Sequence, residues 1–203
     1  MQAYHTLVTG DSGGGKTSLC RELHLEAPYV SVWINHTAER VPDGRSRADA
    51  KTVRSPSALR QAVDGGHTAL NYRTTDAHKA IQAARSVGWY QTDEPLQIIV
   101  DEASGVMPDG CDDDNPLKRC LHQDRDRGVR AVVVTQDPSD LDYTPLKNVK
   151  YWAWCGAWST FHDGFIRYFN IPRDELPGEP HAYTVFDKRM SVLYRGRTSE
   201  AYA

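Results

Sequence analysis

The chain has 203 residues, 39% hydrophobic and 25% charged, with 24 Lys and Arg against 27 Asp and Glu for a formal net charge of -3. This is the balance of an ordinary globular protein, which excludes a disordered or collagen-like chain and a globally basic nucleic-acid coat, so any contact with nucleic acid must come from a local patch. The four cysteines form no C-x-x-C pair, which argues against a disulfide framework or a zinc knuckle.

No apolar run approaches the roughly 18 residues of a membrane span. The N-terminus lacks the basic region and apolar stretch of a signal peptide, so a cytoplasmic protein is expected.

In chain order, Tyr4 to Thr9 reads as a strand running into a glycine loop, and Gly15 to Ala27 as a helix closed by Pro28. Tyr29 to Asn35 alternates apolar and polar residues as a second strand. Thr37 to Arg54 is polar and reads as loop. Pro56 to Val63 is a helix started by Ser55, Thr68 to Arg73 a third strand, and Asp76 to Val87 a helix with Ala77, Ala80, Ile81 and Ala84 on one face. Leu96 to Val100 and Arg130 to Thr135 are apolar strands separated by the acidic loop Met107 to Asn115 and a helix predicted over Pro116 to Arg127. Lys150 to Cys155 is strand-like and Ser159 to Phe169 helical. Ala182 to Phe186 and Ser191 to Tyr194 form a predicted hairpin. Strands alternating with helices, with nearly continuous apolar runs in the centre, predict an α/β fold of three layers around a mainly parallel sheet.

Gly10-Asp11-Ser12-Gly13-Gly14-Gly15-Lys16-Thr17 matches G-x-x-x-x-G-K-[ST] in full, after a strand and before a helix. Glycines let backbone N–H groups turn inward around a diphosphate, and the helix start adds its positive dipole end. Lys16 suits the β- and γ-phosphates, Thr17 a Mg²⁺ ion, and Ser18 the α-phosphate. The strand at Leu96 delivers two acids at its C-terminal tip: Asp101, expected to hold the Mg²⁺ through water, and Glu102, expected to orient and deprotonate an attacking water. That second acid favours hydrolysis over transfer to another acceptor. The strand at Arg130 ends in Thr135-Gln136. Placed beside the Asp101 strand, Gln136 would contact both the γ-phosphate and the water, because its amide donates and accepts.

These three elements in this order resemble the HerA/FtsK superfamily of ATP-driven DNA pumps. The likeness includes Gly128 to Leu141, similar to that family's T-Q-x-P segment, and the helix–strand stretch Ser55-Pro56-Ser57-Ala58-Leu59 to His67 through Arg73. Within the superfamily the chain looks most like the small genome-packaging ATPases of membrane-containing icosahedral viruses, archaeal ones included. The phosphate loop begins ten residues from the start, and the larger relatives' anchors, barrels and winged-helix readers have no room. The resemblance implies a RecA-like core over residues 4–155 and an extension over 156–203 within one ATPase domain. It also implies ATP and Mg²⁺ as cofactors, double-stranded DNA as cargo and capsid or portal proteins as partners, in the host cytoplasm or at the virion's packaging vertex. A ring, hexamer or pentamer, is expected because such motors borrow an arginine from a neighbouring subunit. Arg125 and Arg127 are the favoured candidates here, with Arg119, Arg167, Arg195 and Arg197 behind them.

Two rivals stay open: a phage-type extrusion ATPase, whose usual transmembrane segment is not seen, and a small-molecule phosphotransferase. Arg40 to Arg54, with Arg45, Arg47, Lys51 and Arg54, is the candidate DNA-channel loop. Trp152 and Trp154 share a strand face expected to be core or interface. The histidines show no zinc spacing, and the acidic cluster Asp109 to Asp114 is expected to face outward.

Overall fold

The computed structural model describes residues 4–36, 50–90, 94–159 and 162–198. The elements are β1 (Thr6–Thr9), α1 (Lys16–Leu25), β2 (Ser31–Asn35), β3 (Lys51–Val53), α2 (Pro56–Asp64), β4 (Ala69–Arg73), α3 (Ala77–Tyr90), β5 (Leu96–Val100), α4 (Pro116–Gln123), β6 (Val129–Val134), the short turn α5 (Tyr143–Leu146), β7 (Tyr151–Cys155), α6 (Asp163–Phe169), β8 (Ala182–Phe186) and β9 (Val192–Arg197). The strands form one sheet in the order β3-β4-β2-β5-β6-β1-β7-β8-β9. The seven strands from β3 to β7 run parallel, and β8 and β9 extend the sheet as an antiparallel hairpin. The expected α/β architecture, a mainly parallel sheet with a C-terminal hairpin, is the one observed.

Alternation along the strands divides their side chains between two apolar clusters. Leu7, Val32, Ile34, Ile98, Val100, Ala131 and Val133 meet Leu59 of α2, Ile81 and Ala84 of α3, and Leu117 and Leu121 of α4. Val8, Trp33, Ile99, Val132 and Val134 meet Leu19 and Cys20 of α1. The sheet is therefore covered on both faces, which is why β5 is buried at every position. Gly88 lets α3 approach closely: a Cβ there would lie 2.6 Å from Val129 Cγ2. Trp152 and Trp154 belong to the larger cluster and are buried, so their strand face is core.

The helix starts follow from their caps. Ser55 accepts a hydrogen bond from the Ala58 N–H, with Pro56 in the first turn. Asn115 accepts from the Leu117 and Lys118 N–H groups, with Pro116 in the first turn.

Two expectations need correction. The segment read as loop from Thr37 to Arg54 contains β3, an edge strand on β4 whose Val53 is buried while Lys51 and Thr52 face solvent; three residues are too few for a periodic signal. Arg40, Arg45 and Arg47 lie outside the described residues. The helix predicted over Pro116 to Arg127 ends at Gln123. Asp124 turns inward to pair with Arg85 of α3, its Oδ1 3.1 Å from Nη2, and residues Arg125–Arg127 form a 3-10 turn closed by Gly128 at φ 78°. A fully buried carboxylate needs a partner, and the chain bends to supply one.

Candidate functional site

The tips of β1, β6 and β5 stand side by side on the C-terminal rim of the sheet, where parallel α/β folds present their loops. From this rim α1 leaves toward one face and α4 packs on the other. The glycine loop follows the tip of β1. Gly10, Gly13 and Gly15 have φ of 133°, 74° and 98°, values that only glycine adopts freely. Space also demands glycine: a Cβ on Gly10 would sit 1.9 Å, and one on Gly14 2.5 Å, from the carbonyl oxygen of Cys155. The first turn of α1 has no side-chain cap, so its N–H groups face the loop.

Lys16 is buried inside this curl, its Nζ donating to the carbonyls of Gly10 at 2.7 Å and Asp11 at 2.8 Å. Burial pushes the amine below its usual range, opposed by the acidic groups around it: Cys155, Glu102, Asp101 and Asp11. Those same interactions place the acids of the β5 tip within the electrostatic reach of the loop. Thr17, next in the helix, is exposed, and Ser18 is buried.

Asp101 follows β5 directly. Burial first, then the charge of Glu102, raises its carboxyl above the usual range, against a hydrogen bond from the Glu102 N–H and the Lys16 cation. Glu102 sits in the left-handed region at φ 51° and ψ 50°. For a residue with a β-carbon that is a strained conformation, and such strain concentrates at working sites. Gln136 follows β6 at the adjacent tip, and its side-chain Nε2 lies 3.5 Å from Glu102 Oε1. The residues after the two tips are zipped together: the Asp109 N–H donates to Asp140 O at 2.9 Å and the Asp142 N–H to Met107 O at 3.3 Å. Lys118 of α4 clamps the pair with 2.8 Å contacts to both Asp113 and Asp142. Asp109, Asp112, Asp113 and Asp114 are exposed.

The structure thus brings Lys16, Asp101, Glu102 and Gln136 to one rim of the sheet. It does not bring Arg125 and Arg127 there. They lie before β6, at the opposite end of the strand. Arg127 stacks at 4.5 Å over the Trp89 ring, Arg125 pairs with Asp126, and its charge acts on His5 at the far end of β1. Two exposed arginines end strands on the site's own rim: Arg73 of β4, and Arg197 of β9, which pairs with Glu179.

Several contacts around the loop had no sequence signal. Gly156 packs on Gly14, where a Cβ would lie 2.6 Å from the Gly14 Cα. The His181 N–H donates to Gly14 O at 3.2 Å, and Thr198 closes onto His181 through its own N–H at 2.8 Å. The segment beyond β7 therefore braces the phosphate loop from outside. Ser159 and His162 do the same from beside it.

No family model matches this sequence, and no curated protein matches it significantly. The fold is similar to solved structures. The genome packaging NTPase B204 from Sulfolobus turreted icosahedral virus 2, in complex with AMPPCP, matches with a TM-score of 0.76 over 98% of this chain and 99% of that one at 15% identity. B204, the DNA-packaging ATPase from Sulfolobus Turreted Icosahedral Virus, matches with a TM-score of 0.74 over 98% and 100% at 13% identity. The pCW3 conjugation coupling protein TcpA, as a monomer with ATPγS, matches with a TM-score of 0.59 over 97% of this chain and 60% of that one at 12% identity. The fold is that of a P-loop NTPase.

Proposed function

We propose that this chain is an ATPase that drives double-stranded DNA into a viral capsid. The observation that carries the reading is the pairing of Glu102 with Gln136 on adjacent strand tips beside the glycine loop. A carboxylate that can take a proton and an amide that can both donate and accept are what an attacking water and a terminal phosphate require. A phosphotransferase would need an acceptor pocket in that place. Lys16 and the loop N–H groups are suited to the β- and γ-phosphates of ATP. Thr17 and Asp101 offer hard oxygen donors of the kind Mg²⁺ prefers, and a bound Mg²⁺ would offset phosphate charge.

Support for the packaging role comes from the full-length likeness to the archaeal viral B204 proteins, one of them solved with an ATP analogue. On this reading residues 4–155 are the motor core, residues 156–203 its extension, and the chain works as a hexameric or pentameric ring on DNA at the packaging vertex. No helix among the described residues is long and apolar enough to cross a membrane. For the arginine offered to a neighbouring subunit we favour Arg73, exposed at the end of β4 on the rim that carries the site, over Arg125 and Arg127, exposed at the opposite end of β6, with Arg197 at the end of β9 as its competitor on the same rim.

The test is ATP turnover by the purified full chain with Mg²⁺, with and without duplex DNA. Metal-dependent hydrolysis that duplex DNA accelerates is expected. Absence of hydrolysis in both conditions, or turnover indifferent to DNA, would contradict the motor.

A further inference from the structure

Beside the phosphate loop, one imidazole joins it to the tip of β6. His162 stands just before α6, buried edge-on against Trp154 with ring centroids 5.1 Å apart. Its Nε2 lies 3.1 Å from the backbone carbonyl oxygen of Gln136. A carbonyl only accepts, so Nε2 carries a hydrogen. Its Nδ1 accepts from the Ser159 N–H at 3.4 Å and lies 3.2 Å from Ser159 Oγ. Ser159 Oγ is in turn 3.5 Å from Asp11 Oδ1, itself 3.8 Å from Nδ1. A continuous polar line therefore runs from Asp11 of the phosphate loop through Ser159 and His162 to the Gln136 peptide. Packing alone does not call for it, since a phenyl ring would fill the space against Trp154 and make neither bond.

We propose that His162 is a positioning residue that fixes the Gln136 peptide relative to the phosphate loop, so that the side-chain amide of Gln136 stays in register with the triphosphate. The inference rests on the hydrolytic reading above. The two ring nitrogens divide the work. Nε2 holds the β6 tip, and Nδ1, through Ser159, holds Asp11. Loss of the Nε2 bond frees the Gln136 peptide, while the loop, braced separately by Gly156 and His181, keeps its grip on phosphate.

The test compares ATP turnover and binding of a fluorescent ATP analogue across His162→Phe, His162→Asn and His162→Gln in the full chain. Gln places an amide N–H near Nε2, whereas Asn places an acceptor near Nδ1 and falls short of Gln136. His162→Phe and His162→Asn are expected to lower kcat about tenfold with affinity changed less than about twofold, and His162→Gln to recover most of the rate. Adding Gln136→Ala to His162→Phe should lower kcat no further than Gln136→Ala alone, because both act on one group.

Wild-type kcat in His162→Phe, or losses that multiply in the double variant, would overturn the proposal. Should His162→Phe not fold, Ser159→Ala is paired with Gln136→Ala and read by the same criterion. The ring itself supplies an activity-independent readout: ¹⁵N spectra should show His162 carrying hydrogen on Nε2 with Nδ1 accepting, and hydrogen on Nδ1 alone would refute the link. A wild-type protein that fails to turn over ATP refutes the hydrolytic reading instead, and the spectra still decide the His162 link.

Discussion

The side-chain amide of Gln136 points at the carboxylate of Glu102 across 3.5 Å, from the tips of two neighbouring parallel strands. Neither side chain is needed for packing: Gln136 is exposed and Glu102 half-buried. Glu102 is also held in a left-handed conformation that costs energy, of order 1–3 kcal/mol, and that the zipped segments behind it maintain.

Removing only the charge of Glu102 should therefore separate binding from chemistry. In Glu102→Gln, ATP affinity should stay within about threefold of wild type while kcat falls by about 10² or more, the lower range for losing a general base. Rapid-quench and binding assays on the same protein measure both. Unchanged turnover would remove Glu102 from the reaction.

Asp101 should limit stability while serving the metal. Burial and the Glu102 charge raise its carboxyl above the unfolded value, so at neutral pH the folded state holds an ionised group that it disfavours. Asp101→Asn should melt at a higher temperature than wild type at pH 7. The gain should vanish as the pH falls below the ordinary carboxyl range, where both states hold the proton. Metal-dependent turnover should be lost in the same variant. Thermal melts across pH, with hydrolysis at pH 7, test both halves.

His5 makes the fold acid-sensitive at the opposite end of β1. Burial, then the Arg125 cation, lowers its pKa to about 4, and its Nδ1 accepts from the Ala131 N–H at 3.0 Å, which requires an unprotonated nitrogen. The unfolded chain takes up a proton near pH 6.5 that the folded chain refuses. The resulting stability is present above that value and is lost as the pH falls toward 4, amounting to about 3 kcal/mol. His5→Asn, which keeps an acceptor near Nδ1, should flatten this part of the pH dependence in urea unfolding. An unchanged slope between pH 6.5 and 4 would assign the acid sensitivity elsewhere.

Arg73 should matter only in an assembled ring. Arg73→Ala is expected to bind ATP as wild type does and to turn it over about 10³-fold more slowly or worse, the lower end of what an arginine finger is worth. Mixing it with Lys16→Ala subunits should restore some turnover, because sites pairing an intact loop with a neighbour's intact arginine then form. Arg125→Ala and Arg127→Ala should leave kcat near wild type. If those two abolish turnover while Arg73→Ala does not, the assignment reverses.

The phosphate loop and the two polar strand tips were legible in the sequence because each is a contiguous pattern fixed by chemistry: glycines before Lys16, acids after an apolar strand, Thr135-Gln136 after another. The parallel sheet was legible from the apolar runs of β5 and β6. What escaped depends on residues far apart in the chain. The bend at Asp124 exists because Arg85, on another helix, draws the carboxylate inward. Gly156, His162, His181 and Thr198 reach the phosphate loop only through the order of the sheet, with β7 beside β1.

The account stands most directly on where a triphosphate sits. A structure of the full chain with a non-hydrolysable ATP analogue and Mg²⁺ should show the Lys16 ammonium moved from the carbonyls of Gly10 and Asp11 onto the β- and γ-phosphate oxygens, with Glu102 and Gln136 facing the terminal phosphate. A nucleotide seated elsewhere, with Lys16 still bonded to those carbonyls, would contradict it.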